Sequence, residues 1–251
     1  MKVKHDKKKR YSLLDTIRGM VLVSMVIYHA VWNCVYIYGK EWSWYQSKGA
    51  YIWQQSICQT FILLSGFCFC LGRNPWKNGL RVFGSGLIVT TVTCLVMPQN
   101  RVVFGVLTCI GSCILFVALG EKFLEKIPAL TGSVGSMGLF FLTKNINEGF
   151  LGSRTQKIFE IPAVWYQNYV TTYLGFPFRG FYSTDYFSLF PWLFLFLAGF
   201  YLYHVCESRG WLEKDILREG TPLFSFFGRH SLGIYLIHQP IIFALQEILL
   251  K

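Results

Sequence analysis

The sequence predicts an all-α protein, a polytopic transmembrane bundle of about seven spans with its N-terminus in the cytoplasm. Of its 251 residues, 53% are hydrophobic and only 15% are charged, which is too apolar for an ordinary soluble domain of this length. Apolar runs of about 20 residues recur along the chain. Lysine and arginine collect in short clusters between these runs, as is typical of loops beside a membrane.

Six apolar runs are long enough to cross a bilayer, and a shorter glycine-rich run adds a seventh candidate. No internal repeat or low-complexity tract interrupts the series, so we predict one domain over residues 1–251. The predicted spans are 13–36, 51–71, 80–97, 102–119, 187–205 and 231–249, and the shorter candidate is 133–143.

The distribution of basic residues predicts the orientation, because short cytoplasmic loops hold the excess of lysine and arginine. The formal net charge is +11, and the basic clusters fall in the predicted tail 1–10 and in the loops 72–79, 120–132 and 206–229. We therefore predict a cytoplasmic N-terminus and an outer C-terminus. If 133–143 does not cross, every downstream segment reverses. The charge pattern favours membrane lipid as a partner and shows no nucleic-acid-binding motif.

The cysteines and the long segment 144–186 give two further predictions. The eight cysteines fall mostly in apolar runs, and Cys68-Phe-Cys70 has the wrong spacing for a zinc pair, so we predict neither a disulfide framework nor a metal site. The segment 144–186 is long for a connection but rich in Tyr, Trp and Phe. That composition predicts packed structure at or dipping into the membrane interface.

The first apolar run carries ionisable residues that are costly in a membrane, which marks it as a candidate site. From Arg18 to His29 is 11 residues, or three helical turns plus about 20°, so both lie on one stripe about 16 Å apart. Asp15 is three residues before Arg18 and can pair with it. The alternative is that Arg18 extends to lipid headgroups and His29 hydrogen-bonds a neighbouring helix.

The last apolar run carries a second candidate group, in FFGRHSLGIYLIHQP. His238 lies at a depth similar to that of His29, so the two imidazoles could face each other, and Pro240 would bend the helix there. The alternative is a kinked core helix with hydrogen-bonded histidines. His230 has the position of a helix-start residue.

A third group precedes the predicted span 187–205, in STDYFSLFPW. Asp185 could orient an imidazole from the outer side, as carboxylates do in acid–base sites. Ser183, Thr184 or Asp185 could equally cap a helix. Intramembrane His and Asp groups also occur in proton-coupled transporters, with His29, Asp185 and His238 as a relay, and this is the alternative function.

Five segments in order resemble the bacterial branch of the heparan-alpha-glucosaminide N-acetyltransferase catalytic-domain family. The pattern of Arg, ten residues and His is also similar to that of acyltransferase-3 membrane enzymes, which modify cell-surface sugars. The match touches most of the chain apart from 120–170. The segments are DTIRGMVLVSMVIYHAVW, TFILLSGFCFCLGR, VFGVLTCIG, GFPFRGFYSTDYFSLFPWLFLFLAGFYL and FSFFGRHSLGIYLIHQP.

The resemblance implies an enzyme in a bacterial cytoplasmic membrane that moves an acetyl or other acyl group from cytoplasmic acyl-CoA to a hydroxyl or amine of a sugar-like acceptor at or beyond the outer face. It implies that His29 is the catalyst and that Arg18 helps hold the donor. A homo-oligomer is left open. Thr108 stands where many relatives have His, so a role of that His in acceptor or donor binding does not carry over to this chain. The first outer loop has no His, which argues against heparan itself as the substrate.

Together, these arguments assign two sets of residues. His29 would act as a general base or as a nucleophile that forms an acyl-imidazole. The predicted catalytic residues are His29, Asp185 and His238, and the predicted residues for binding acetyl-CoA or another acyl-CoA are Arg18, Asp15, Arg73, Arg81 and Arg229, beside Lys77.

Overall fold

The computed structural model describes residues 10–250. Most of the predicted basic tail, residues 1–9, therefore lies outside the described residues. Nine α-helices are found in the described part: α1 (Ser12–Tyr36), α2 (Lys48–Phe69), α3 (Pro75–Val96), α4 (Val106–Leu124), α5 (Ala129–Thr143), α6 (Tyr169–Leu174), α7 (Leu189–Ser208), α8 (Pro222–Arg229) and α9 (Ser231–Leu250). A small antiparallel pair of strands, β1 (Phe150–Gly152) and β2 (Lys157–Glu160), lies between α5 and α6.

The all-α membrane fold predicted from the sequence is confirmed, and each predicted span corresponds to one helix with ends displaced by a few residues. Five described helices are long and apolar enough to cross a membrane, namely α1, α3, α4, α7 and α9. Helices α2 and α5 are not among these five. The number of spans and the cytoplasmic N-terminus stay predictions.

The chain forms two compact units. The first contains the described residues up to Phe61 and those from Glu207 onward, so it holds α1, the beginning of α2, α8 and α9. The second runs from Ile62 to Cys206. The first and the last described helices thus belong to one unit, and the helices between Ile62 and Cys206 belong to the other.

In the first unit, α1 and α8 pack backbone against backbone. A Cβ built on Gly19 would lie 1.9 Å from the carbonyl oxygen of Phe224, and one on Gly228 would lie 1.9 Å from that of Asp15. Only glycine permits such an approach. A buried hydrogen bond of 2.8 Å between the Thr16 and Ser225 hydroxyls joins the same helices.

The apolar core of the first unit lies between α1, α2 and α9. Leu22, Met25 and Ile57 are buried at its centre, and Phe227, Ile234 and other partly buried side chains pack around them. This core fixes the face of α1 that carries Leu22 and Met25. It therefore also fixes the direction in which the polar residues of the same helix point.

In the second unit, glycines allow close packing of α2 on α7, where Gly199 faces the backbone carbonyl of Leu63. The segment 144–186 is structured, as its aromatic composition predicts. It contains the β1–β2 pair and α6, and the Tyr166 hydroxyl donates a hydrogen bond of 2.6 Å to the carbonyl of Ile146.

Candidate active site

The structure brings together the two histidines of the first and last long helices. The rings of His29 on α1 and His238 on α9 have centroids 5.0 Å apart, with an angle of 54° between their planes. Helices α1 and α9 pack against each other within the first unit. His238 is buried, with 7% of its surface exposed, and His29 is partly buried. Two imidazoles at this separation can both contact one small reacting group.

A pair of amide side chains holds His29. Gln239 Nε2 lies 3.1 Å from His29 Nδ1, and Gln239 Oε1 accepts a hydrogen bond of 3.2 Å from Asn33 Nδ2. Asn33 is one turn after His29 on α1 and is almost fully buried. A second glutamine on α9, Gln246, donates to the backbone carbonyl of Ala30 at 2.8 Å. The interface of α1 and α9 is therefore a polar seam within apolar helices.

A backbone carbonyl holds the other ring. His238 Nδ1 lies 2.5 Å from the carbonyl oxygen of Tyr235, one turn earlier on α9. The opposite nitrogen, Nε2, is buried and has no hydrogen-bond partner among residues 10–250. Most buried polar atoms in proteins have a partner, and Asn33 Oδ1, Tyr45 Oη and Gln246 Oε1 are the other buried side-chain atoms without one in the described part.

Aromatic residues from the first loop and α2 pack on Tyr28, the residue before His29. Tyr28 contacts the rings of Tyr45 and Trp53, with centroid distances of 5.2 and 5.1 Å. The indole N–H of Trp53 donates to the Ser24 hydroxyl at 2.7 Å. Burial raises the pKa of Tyr45, so its phenol stays protonated at neutral pH. These contacts join α1 to the first loop and to the beginning of α2.

The beginning of α1 carries a charged group about 16 Å from His29 by helical rise. Arg10 Nε donates to Asp15 Oδ2 at 2.7 Å, and Arg18 Nη1 lies 3.9 Å from Asp15 Oδ1. The Arg18 side chain is 24% exposed. Asp15 therefore holds two arginines, and the longer contact leaves guanidinium donors of Arg18 available for a ligand. Arg229 follows Gly228, which packs on the Asp15 carbonyl.

The remaining predicted site residues lie in the second unit. Asp185 Oδ2 accepts a hydrogen bond of 3.3 Å from the backbone N–H of Val106, the first residue of α4. This hydrogen bond is made to the first residue of α4, and not to the beginning of the helix that follows Asp185, which the sequence had offered as its capping role. Arg73 and Arg81 are exposed before and within α3. Their roles in donor binding, and that of Asp185 in catalysis, stay predictions.

Among the described residues, no three His, Cys, Asp or Glu side chains are grouped so that they could hold a metal ion.

The family model for the heparan-alpha-glucosaminide N-acetyltransferase catalytic domain matches residues 10–240. The chain belongs to this family. Membership makes it a transferase and indicates a membrane acetyltransferase, and it gives no support to the transporter alternative. No curated protein and no solved structure matches the chain.

Within this heparan-alpha-glucosaminide N-acetyltransferase family member, sequence reasoning missed the residues that hold the imidazoles. Asn33 is four residues after His29, and Gln239 directly follows His238. Both are polar residues in apolar runs, and position i+4 shares a helix face with position i. This spacing is a usable signal for Asn33. The carbonyl of Tyr235 gives no signal in the sequence.

Proposed function

We propose that this protein transfers an acetyl or other acyl group from acyl-CoA to a hydroxyl or amine of a sugar-like acceptor, with the pair His29 and His238 as the catalytic centre. The reaction forms an ester or amide bond and breaks the thioester C–S bond. The proton of the acceptor leaves with the CoA thiol. Membership of the family supports the assignment as a transferase. The pair of imidazoles supports the position proposed for the catalytic centre.

The observation that carries the proposal is the meeting of two imidazoles with centroids 5.0 Å apart, one with an unpartnered buried nitrogen. Acyl transfer needs a group that accepts the acceptor's proton and a group that stabilises the oxyanion of the tetrahedral intermediate. Two neutral imidazoles can supply both. His29 as a nucleophile that forms an acyl-imidazole is the alternative mechanism.

The charged group at the beginning of α1 supports binding of the donor. Coenzyme A is a polyanion with a long, thin pantetheine arm. Arginine donors suit its phosphates, and Arg18 lies on the same helical stripe as His29 at a distance that an extended arm can cover. We propose that Arg18 and Arg229 contact the nucleotide part and that Asp15 holds Arg18 in place. Arg73 and Arg81, in the second unit, stay predicted donor-binding residues.

A cluster of three tryptophans, Trp42, Trp44 and Trp53, supports a sugar-like acceptor. The indole rings of Trp42 and Trp44 stack with centroids 6.4 Å apart, Trp44 stacks on Trp53 at the same distance, and Trp44 is 49% exposed. An indole ring has flat apolar faces and a polar N–H at its edge. It can therefore stack on a sugar ring, whose C–H faces are apolar and whose hydroxyls lie around the rim. Tryptophan is also enriched at membrane interfaces, so this support is secondary to that of the imidazoles.

The experiment that tests the proposal uses the purified full chain in detergent or nanodiscs. Labelled acetyl-CoA is supplied with a panel of amino sugars and neutral sugars, and both labelled product and free CoA thiol are measured. We expect equal amounts of product and thiol. Thiol release at the rate of a protein-free blank, or no transfer to any sugar, would contradict the proposal. Uptake of labelled sugar into sealed vesicles without thiol release would support the transporter alternative.

A further inference from the structure

The hydrogen bonds of the two imidazoles, with the amides oriented as in the structure, indicate which nitrogen of each neutral ring carries the proton. In a neutral imidazole one nitrogen donates and the other accepts. A carbonyl oxygen can only accept, so His238 Nδ1 must donate to Tyr235 over the 2.5 Å contact. His238 Nε2 is then the nitrogen with the lone pair. This is the buried nitrogen that has no partner among residues 10–250.

The other ring has the opposite arrangement. Asn33 Nδ2 donates to Gln239 Oε1, which turns the amide nitrogen of Gln239 toward His29 Nδ1. An amide nitrogen can only donate, so His29 Nδ1 accepts and the ring proton lies on Nε2. Rotating both amides would reverse every donor and acceptor and would move the proton to Nδ1. The amide pair and the tautomer of His29 thus form one coupled unit.

We propose that the two imidazoles are held in opposite tautomers and divide the reaction, with His238 Nε2 as the general base and the protonated Nε2 of His29 as hydrogen-bond donor to the acyl oxygen. Gln239 and Asn33 are positioning residues that hold His29 in this tautomer. The inference rests on the proposed acyl transfer, and it replaces the role of base that the sequence alone gave to His29.

The steps balance. His238 Nε2 takes the proton of the acceptor O–H as the oxygen attacks the thioester carbonyl carbon. The carbonyl π electrons move to the oxygen, which accepts a hydrogen bond from His29 Nε2–H. The intermediate then collapses, the C–S bond breaks, and the imidazolium of His238 returns the proton to the thiolate of coenzyme A. His29 keeps its proton throughout, so it acts as an oxyanion-hole donor.

The tautomers can be measured directly. Protein labelled with ¹⁵N in its five histidines is recorded by NMR in nanodiscs, and the signals are assigned by their loss in His29→Ala and His238→Ala. We expect protonated Nε2 in His29 and protonated Nδ1 in His238. The same tautomer in both rings, or the reverse pair, would overturn the proposal whether or not the protein transfers acyl groups.

Two glutamine variants test the positioning role. Gln239→Glu replaces the amide donor with a carboxylate that accepts, so the His29 proton should move to Nδ1. The control is Gln246→Glu, because Gln246 also joins α9 to α1 but contacts Ala30 and Cys34 and not His29. The control should leave the His29 signals unchanged. A Gln239→Glu spectrum with the His29 proton still on Nε2 would refute the coupling.

A choice of acceptors tests the division of roles. Water, the smallest hydroxyl acceptor, needs a base, whereas hydroxylamine attacks a thioester without one, and both need the oxyanion donor. We expect His238→Ala to lower acetyl-CoA hydrolysis by roughly 10²–10⁴-fold and the hydroxylamine reaction by less than about 10-fold. We expect His29→Ala to lower both by roughly 10²–10³-fold.

Equal losses on both acceptors in His238→Ala would contradict the role of base. A wild-type protein that cleaves no thioester would instead refute the proposed function, and the NMR measurement would still decide the tautomers. The two failures are therefore distinguishable.

Discussion

Gln239 on α9 hydrogen-bonds the ring of His29 on α1, with 3.1 Å between Gln239 Nε2 and His29 Nδ1. This contact joins two helices at opposite ends of the sequence and places a second histidine, His238, beside the first. The proposed chemistry depends on this junction, so variants along α1 and α9 give its sharpest tests.

Replacing His29 with alanine should lower acyl transfer by roughly 10²–10³-fold, because the acyl oxygen loses its hydrogen-bond donor. The affinity for CoA should stay within about 2-fold of wild type, since Arg18, which is proposed to bind the nucleotide part, lies about 16 Å away along α1. The measurement compares thiol release with CoA affinity from calorimetry. Ile27→Ala is the matched control, because Ile27 is on the same helix and 51% exposed. Equal rates for the two variants would remove His29 from the mechanism.

Replacing Arg18 with alanine should weaken binding of acyl-CoA by about 10- to 150-fold, the effect of losing roughly 1.5–3 kcal/mol from one charge-assisted phosphate contact. Acyl transfer at saturating donor should change much less. Met20→Ala, at a 52% exposed position of the same helix, is the control. An unchanged affinity in Arg18→Ala would mean that Arg18 contacts only lipid and Asp15.

Replacing Gly228 with alanine should destabilise the first unit, because the added Cβ would lie 1.9 Å from the carbonyl of Asp15 and must separate α8 from α1. We expect the free energy of unfolding to fall by roughly 2 kcal/mol or more, as for overpacked cores. The measurement is thermal unfolding in detergent. Gly233→Ala is the control, since nothing lies within 4 Å of its added Cβ. That variant should be neutral or stabilised by up to about 1 kcal/mol. Similar unfolding of both variants would contradict the close packing.

Topology reporters should place a fusion after Lys251 outside the cytoplasm and one within 209–221 inside it. Both the seven-span and five-span arrangements give this result when the N-terminus is inside, so a third reporter after Asn100 separates them. It reads outside if α2 and α5 cross the membrane and inside if neither does. Detection of the first two fusions on the same side would refute both arrangements.

The helices could be predicted because a bilayer requires about 20 apolar residues for each span, and such runs are visible in a single sequence. One of the helices that was not predicted is α8 (Pro222–Arg229), which the sequence placed within a cytoplasmic loop. Its eight residues are too few to cross a membrane. Its packing on α1 depends on Gly19 and Gly228, which meet only after the chain has folded.

The site could be predicted only in part. Helical period placed Arg18 and His29 on one stripe, and equal depth suggested that His238 faces His29, as the structure shows. Period and depth do not reveal which amide meets which ring across a tertiary interface. The contact of Gln239 with Asn33 and His29 is a property of how α9 rotates against α1. The tautomers follow from that rotation.

The first unit combines residues up to Phe61 with residues from Glu207 onward, and the ribosome makes these two parts at different times. Helix α1 leaves the ribosome long before α9. His29 is therefore present without His238 until α9 has also been made. A chain released before α9 would carry Arg18 and the beginning of α1 intact and yet lack the second imidazole. In the proposed mechanism, acyl transfer therefore begins only after α9 has been synthesised and has packed on α1.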